Sequence, residues 1–369
     1  MAILCDPLMD PYGSNRVALL LTSFLSTRFD VLVSTPKLSE DVRALFPKNN
    51  VTFMDLGEGL MSRSSSMAYG EAWARETLLR TNGKRWERTR EDFSAVINIS
   101  NTIITPADVW YLQGAVGYTA SWIIRLLPKA INHALGPVDP VLLALDRRQM
   151  ALSSSNSSMR IANSYYCKSY YTEHGIPVDR VIFPPLDTSV FRPTTKHPAE
   201  DYCVVYIGKE TDPHFLFSLA DAGIRLRAFG TKLVNIPSRQ HPNITLEGHF
   251  SDRGLAELYS NAKFTIFPFT TEPFGYIPVE SMACGTPVLT YDREGPAETI
   301  QNNRTGWVCP SDREMALKAV ELWKNGSVTP EMRKYCQNRT IEFSVENIGN
   351  QWRNLLEQGI HGRSGKTSK

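Results

Sequence analysis

Apolar and polar positions in the first half of the chain switch repeatedly between two periods. MAILCDP is a short apolar run closed by turn residues, PYGSNRVALLLTSFLSTR spaces its apolar residues at helical intervals, and FDVLVST returns to a strand-like run. The order strand, helix, strand predicts a right-handed parallel unit. VTFMDL (51–56), SAVINIS (94–100) and DVWYLQG (108–114) predict further strands. A second alternating series begins near Tyr202, with strand-like runs at CVVYIG (203–208), IRLRAFG (224–230), NITLEG (243–248), KFTIFPF (263–269) and TPVLTY (286–291). Between the two series lies FPPLDTSVFRPTTKHPAED (183–201), rich in proline and polar residues, which reads as a linker. The pattern therefore predicts an α/β chain with two doubly wound parallel sheets. Ligands of such sheets sit at the carboxyl ends of the strands.

Three segments stand apart from the alternation. Residues 57–93 turn Ser-rich and then basic, and read as an insertion over one face. Arg75, Arg80, Lys84, Arg85, Arg88 and Arg90 there would suit acidic lipid headgroups or an anionic acceptor. The plainer reading is a solvated helical face with Trp73 and Trp86 packed beneath it. TASWIIRLLPKAINHAL (119–135) is apolar with sparse basic residues and Pro128 to kink it, so it suits either a membrane interface or the core. FSVENIGNQWRNLLEQG is an amphipathic helix with Ser344 as its cap, followed by a polar tail.

Composition narrows the function classes. With 42% hydrophobic and 21% charged residues among 369, the chain can bury two cores and is not mostly disordered. A formal charge of +2 gives no global field for a nucleic-acid partner, so any anion site must be local. Six scattered cysteines without a CxxC suggest neither a zinc cage nor a disulfide framework, and point to a reducing compartment. The opening MAILCDPLMDPYGSNR has acidic residues and prolines where a signal peptide needs a basic start and an apolar stretch. Apolar runs such as VALLLTSFL fall short of the roughly 20 residues of a membrane span. The expectation is a cytoplasmic protein, soluble or peripheral on the cytoplasmic face of a membrane.

The segment that carries chemistry is TEPFGYIPVESMACGTPV (271–288). Pro273 and Gly275 shape a turn after a strand, and a helix begins near Ile277 with Pro278 in its first turn, where the missing N–H costs nothing. The N–H groups of Phe274 to Ile277 should then face outward at the positive end of a helix dipole, an anion site suited to a diphosphate. Glu272 and Glu280 flank it. Carboxylates accept hydrogen bonds from sugar hydroxyl pairs, so one can hold a ribose while the other faces a transferred sugar. The plainer reading makes both merely favourable to the helix N-terminus.

This segment resembles the signature of retaining glycosyltransferases of family 4, hexosyltransferases with the GT-B fold of two Rossmann-like domains facing across a cleft. The resemblance runs across most of the chain. IANSYYCKSYYTEHGIPVDRVIFPPLDTSVFRP (161–193) is similar to the family's segment leading out of the first domain, and VVYIG, NITLEGHFSDRGLAELYSNAKFTIFPF and REGPAETIQNNRTGWV (293–308) are similar to its second domain in order. FSVENIGNQWRNLLEQ resembles the helix that crosses back to the first domain. The implied division is 1–186, 187–343, a helix at 344–360 and a tail at 361–369.

Carried over residue by residue, the resemblance implies that Glu280 binds the nucleotide ribose and Glu272 contacts the donor sugar. Main-chain groups of Phe274, Gly275, Tyr276 and Ile277 would hold the sugar and diphosphate. Lys209 would neutralise the departing diphosphate, and Gly248, His249 and Phe250 would receive the base. Gly13, in PYGSNRV, matches the second glycine of the loop after the first strand. Gln113 stands where a subgroup has the His of a Tyr-x-His loop, and an amide can position a hydroxyl but cannot take a proton. ETDPHF after Lys209 lacks the usual second Lys.

The reading is a retaining transfer of a hexose from a UDP- or GDP-linked donor to an acceptor hydroxyl, on a glycan or lipid-linked carrier. It calls for no cofactor, and the chain has no Asp-x-Asp to bind Mg or Mn. Two alternatives stay open. One is a sugar-nucleotide epimerase, for which His174 and His249 are the nearest acid/base candidates, each better read as structural or solvent-facing. The other is a catalytically impaired subunit that binds donor.

Overall fold

The structure is a computed structural model that describes residues 1–57, 60–89, 93–126, 132–133, 135–208, 211–230, 241–248, 250–326 and 328–363. It divides into two compact units, Met1–Pro185 with Val345–Lys369, and Leu186–Ser344. Among the described residues, no helix is long and apolar enough to cross a membrane.

The first unit is built on β1 (Ala2–Leu4), β2 (Val31–Thr35), β3 (Val51–Asp55), β4 (Val96–Asn98), β5 (Ala107–Leu112), β6 (Ser157–Ala162) and β7 (Arg180–Val181). They form one sheet in the order β3-β2-β1-β4-β5-β6-β7 with every pairing parallel. The second unit holds β8 (Cys203–Ile207), β9 (Leu226–Gly230), β10 (Ile244–Leu246), β11 (Thr265–Phe267), β12 (Val288–Tyr291) and β13 (Gly306–Cys309), ordered β10-β9-β8-β11-β12-β13 and again all parallel. Helices cover both faces of a parallel sheet, so its central strands are mostly apolar. β1, β4, β11 and β12 are buried at every residue, whereas the edge strand β10 is largely exposed. The predicted strands all form, while β6, β7 and β13 did not stand out as strands in the apolar pattern.

Residues 57–93 differ from the insertion that their composition suggested. They supply the helices Ser65–Leu79 and Thr81–Thr89, which make the crossover from β3 to β4. A parallel strand cannot be reached by a tight hairpin, so this connection must be long. Trp73 and Trp86 are buried beneath it, and buried Glu76 accepts from the N–H groups of Asn82 (2.7 Å), Gly83 (3.1 Å) and Ile104 (2.7 Å). Arg75 pairs with Glu71 and Arg80 with Glu87, while Lys84 and Arg88 are exposed; Arg90 lies outside the described residues.

Of the apolar stretch 119–135, the first part belongs to the helix Val116–Leu126, whereas Pro128 lies outside the described residues. That helix is pinned at its start by Asp146, whose carboxylate accepts from Gly117 N (2.9 Å) and Tyr118 N (2.5 Å). Residues 186–201, read as linker, pack on the second unit: Phe191 is buried and Glu200 pairs with Arg333 at 2.9 Å. The last helix, Val345–Arg363, buries Ile348 and Trp352, sets Trp352 edge-on to Tyr111 at 5.3 Å, and pairs Glu357 with Arg28. It therefore completes the first unit.

Candidate active site

In the second sheet the strand order reverses between β8 and β11, and the crevice outside the carboxyl ends at such a point is where open α/β sheets bind ligands. After β11 the chain runs through residues 268–275 into the helix Tyr276–Ala283. Several helices here begin on a hydroxyl or carboxylate cap, for example Ser251, Ser311 and Thr329. This one begins on Gly275, with φ +84°, no side-chain cap from that residue and no acid in its first turn. The left-handed φ suits glycine, and an added Cβ would stand 3.0 Å from Pro296 Cγ.

The loop corrects one expectation. The N–H of Gly275 does not simply face outward, because Glu272 Oε1 accepts it at 3.1 Å. A carboxylate three residues upstream reaches back and caps the helix, as an N-terminal positive end favours. Glu272 is thus half-buried and oriented by its own helix. Phe274 is buried, with its ring edge-on to Tyr276 at 5.6 Å and Phe343 at 5.7 Å, so this residue can offer a ligand only its main chain. Ile277 is half-buried in the helix's first turn.

Glu280 lies within the same helix and is only 4% exposed. Its Oε2 accepts from the hydroxyl of Tyr259 at 3.3 Å, a partner on the helix Asp252–Asn261. A carboxylate so buried needs hydrogen-bond donors, and the Tyr259 phenol supplies one. Its charge is felt nearby: burial first, and then Glu280, push the Cys284 thiol well above its ordinary value.

A third carboxylate belongs here that the sequence did not mark. Glu294, after β12, accepts from the N–H of Glu272 at 3.0 Å, and the carbonyl of Glu272 accepts from Gly295 N at 3.2 Å. Burial raises the Glu294 pKa, opposed by hydrogen bonds from the backbone of Glu272 and Thr271 and by Arg293. Aromatic rings gather at neighbouring strand ends, with Tyr206 5.4 Å from both Phe229 and Phe269, and Phe250 edge-on to Phe229 at 6.4 Å. Phe250 is half-buried and Gly248 exposed, with open space where a Cβ would be. Lys209 and His249 lie outside the described residues.

The remaining predicted residues belong to the first unit. Gly13, exposed and at φ +57°, starts the helix Ser14–Leu25 after β1, again without a side-chain cap or an acid in the first turn. Gln113 follows β5 and spends its amide N–H on the carbonyl of Ile99 at 2.7 Å. His174 is tied by Nδ1 to the carbonyl of Tyr170 at 2.8 Å, in keeping with a structural role.

Residues 239–343 match the family model described as glycosyl transferases group 1. The matched stretch lies within the second unit. Over 71 residues, 19% of this chain, the sequence is 36% identical to the alpha-1,3/1,6-mannosyltransferase ALG2 of Rhizomucor pusillus, of which those residues are 16%. Over 209 residues, half of the chain, it is 29% identical to a probable transglycosylase of Burkholderia thailandensis, covering 57% of that protein. The chain thus spans less than two thirds of the length of these curated relatives. Among solved structures, sucrose-phosphate synthase from Thermosynechococcus elongatus superposes with a TM-score of 0.68 at 17% identity, covering 98% of this chain and all of that one. WaaG, a glycosyltransferase involved in lipopolysaccharide biosynthesis, gives 0.68 at 14% identity over 96% of this chain and 99% of its own. Anabaena HepE in complex with UDP-glucose gives 0.64 at 14% identity over 97% and 100%. These structural likenesses establish the fold, the GT-B type that the resemblance implied.

Proposed function

We propose that this protein is a glycosyltransferase that moves a hexose from a UDP- or GDP-linked donor to an acceptor hydroxyl, on a glycan or a lipid-linked carrier, with retention at the anomeric carbon. The observation that carries the reading is the glycine-started helix Tyr276–Ala283, with buried Glu280 on it and Glu272 at its mouth, inside a group 1 glycosyltransferase domain. The positive end of the helix favours a diphosphate. Glu280, paired with Tyr259, takes the ribose hydroxyls, and the Glu272 carboxylate serves the sugar.

In the reaction the bond from the anomeric carbon to the diphosphate oxygen breaks, the acceptor oxygen bonds to that carbon on the same face, and the acceptor proton leaves with the diphosphate. Helix dipole and main-chain donors stabilise the charge that develops on the leaving group, and Lys209 adds a cation to it. Neither a metal ion nor a covalent intermediate is invoked. Gln113, held by Ile99, positions a hydroxyl rather than moving a proton. Support for the donor class comes from HepE, whose solved complex holds UDP-glucose.

The test is a thermal-shift panel of UDP-, GDP- and ADP-sugars, in which a true donor at 100 times its Kd raises stability by about 2.7 kcal/mol. No stabilisation by any nucleoside diphosphate sugar would defeat the reading. Incubation of the stabilising donor with acceptor extracts then separates transfer from binding alone, and an inverted linkage would refute the stereochemical part.

A further inference from the structure

Two loops in the second unit lock into each other, and both are strained. In the loop after β11, Thr271 has φ +63° and Gly275 +84°; after β12, Glu294, the first residue of the helix Glu294–Thr299, has φ +65°. A left-handed backbone is uncommon for any residue with a Cβ, and a long acidic side chain gains nothing from it locally. The contacts explain why it persists. Glu294 Oε2 accepts the N–H of Glu272 at 3.0 Å, and Gly295 N returns a hydrogen bond to the carbonyl of Glu272 at 3.2 Å. The fit between the loops is closed: a Cβ on Gly295 would come within 2.1 Å of Pro273 O and 2.6 Å of Phe274 Cα, and one on Gly275 within 3.0 Å of Pro296 Cγ.

Glu272 is thereby held at both ends. Its main chain is clamped by Glu294 and Gly295, and its carboxylate is drawn to Gly275 N at 3.1 Å. With its main chain and one carboxylate oxygen both fixed by neighbours, the Glu272 side chain is held in one orientation. We infer that Glu294 is a positioning residue: its carboxylate clamps the main chain of Glu272 so that the Glu272 carboxylate meets the donor sugar in a single orientation. The inference rests on the reading of Glu272 as the sugar contact. It adds a residue whose effect passes wholly through another one, as an oriented site requires.

The experiment is a double-mutant cycle on the whole chain, with separate readouts for nucleotide and sugar. Glu294→Ala should raise the donor KM about tenfold while leaving the Kd of the bare nucleoside diphosphate within twofold, because Glu280 is untouched. Glu272→Ala should do the same, and the double variant should be no worse than Glu272→Ala alone. Glu294→Gln keeps the reach and one acceptor oxygen, and should stay within about threefold of wild type. Glu294→Asp keeps the charge but shortens the reach by one methylene, and should resemble Glu294→Ala. This pair also stands in if the alanine variant does not fold.

Additive losses in the cycle, wild-type kinetics in Glu294→Ala, or Asp outperforming Gln would each overturn the inference. So would a parallel fall in nucleoside diphosphate affinity, which would mark general damage to the site. Wild-type protein that binds no nucleoside diphosphate would instead bring down the proposed function, and this inference with it.

Discussion

Each sheet ties the ends of neighbouring strands with a carboxylate, and the two ties are built differently. In the first unit Asp6, just beyond β1, sends Oδ1 to Ser100 Oγ (2.7 Å), Asn101 N (2.9 Å) and Thr102 N (3.0 Å) on the loop after β4. In the second unit Glu294, beyond β12, reaches the N–H of Glu272 on the loop after β11. Asp6 is 4% exposed, and its backbone is free of positive φ. Glu294 is half-buried and carries a positive φ, as do Thr271 and Gly275 opposite it. The helix starts differ in the same sense. Gly13 is exposed with nothing near its missing Cβ, whereas Gly275 is buried against Pro296. The first tie is a buried brace in ordinary geometry. The second concentrates strain beside the carboxylate proposed to face a ligand, and strain persists where surrounding contacts over-determine it.

The sharpest way to break this contrast is to put the same methyl group on both helix starts. Gly275→Ala combines a left-handed φ with a contact against Pro296, so unfolding free energy should drop by about 2–3 kcal/mol and donor binding should be lost. Gly13→Ala meets only the φ penalty and should cost about 1 kcal/mol. Equal losses in chemical denaturation would show that the two starts are equivalent.

The next largest effect concerns the brace. Burial, outweighing its hydrogen bonds, pushes the Asp6 pKa up to about 6. A raised folded-state pKa means that the native state binds the proton more tightly than the unfolded chain. Stability should therefore be greatest below about pH 4 and fall by about 2 kcal/mol as pH rises through 6. Asp146, also pushed to about 6 by burial, adds a slope of the same sign. Asp6→Asn preserves an acceptor oxygen and removes one proton, so urea titrations from pH 4 to 7 should give a shallower slope. An unchanged slope would exclude Asp6 as its source.

The smallest of the three effects tests the ligand side. Glu280→Ala should raise donor KM tenfold or more, about 1.4 kcal/mol or above, and should weaken the bare nucleoside diphosphate in parallel. That parallel loss would separate Glu280, the proposed ribose contact, from Glu272, the proposed sugar contact. Wild-type kinetics in Glu280→Ala would remove it from the site.

Much of this was legible in one dimension. Strands buried on both faces are mostly apolar, so β1, β4, β11 and β12 announce themselves, and the doubly wound order follows from alternation with helices. β6 was harder, because its middle residues are partly exposed, and β7 has only two residues to show. Glu272, Gly275 and Glu280 were visible because a turn, a helix start and two acids lie within one short segment, where spacing alone fixes neighbourhood.

The amino-acid order by itself determined the alternating strands and helices of the two sheets, the glycine-started helix and the acids that flank it, since each is written in a pattern a few residues long. Only the tertiary structure decided what those acids do. Tyr259 meets Glu280 across 21 residues, and Glu294 meets the Glu272 backbone across 22. Both meetings depend on helix packing and on how neighbouring strands place their loops, and a change of a few ångströms in either would leave the same sequence pattern with no site. The hydrogen bond from Gly275 to Glu272 is short in sequence and still needed the folded turn, because whether a main-chain donor faces a ligand or its own side chain is a question of rotamer and φ, which residue spacing does not encode.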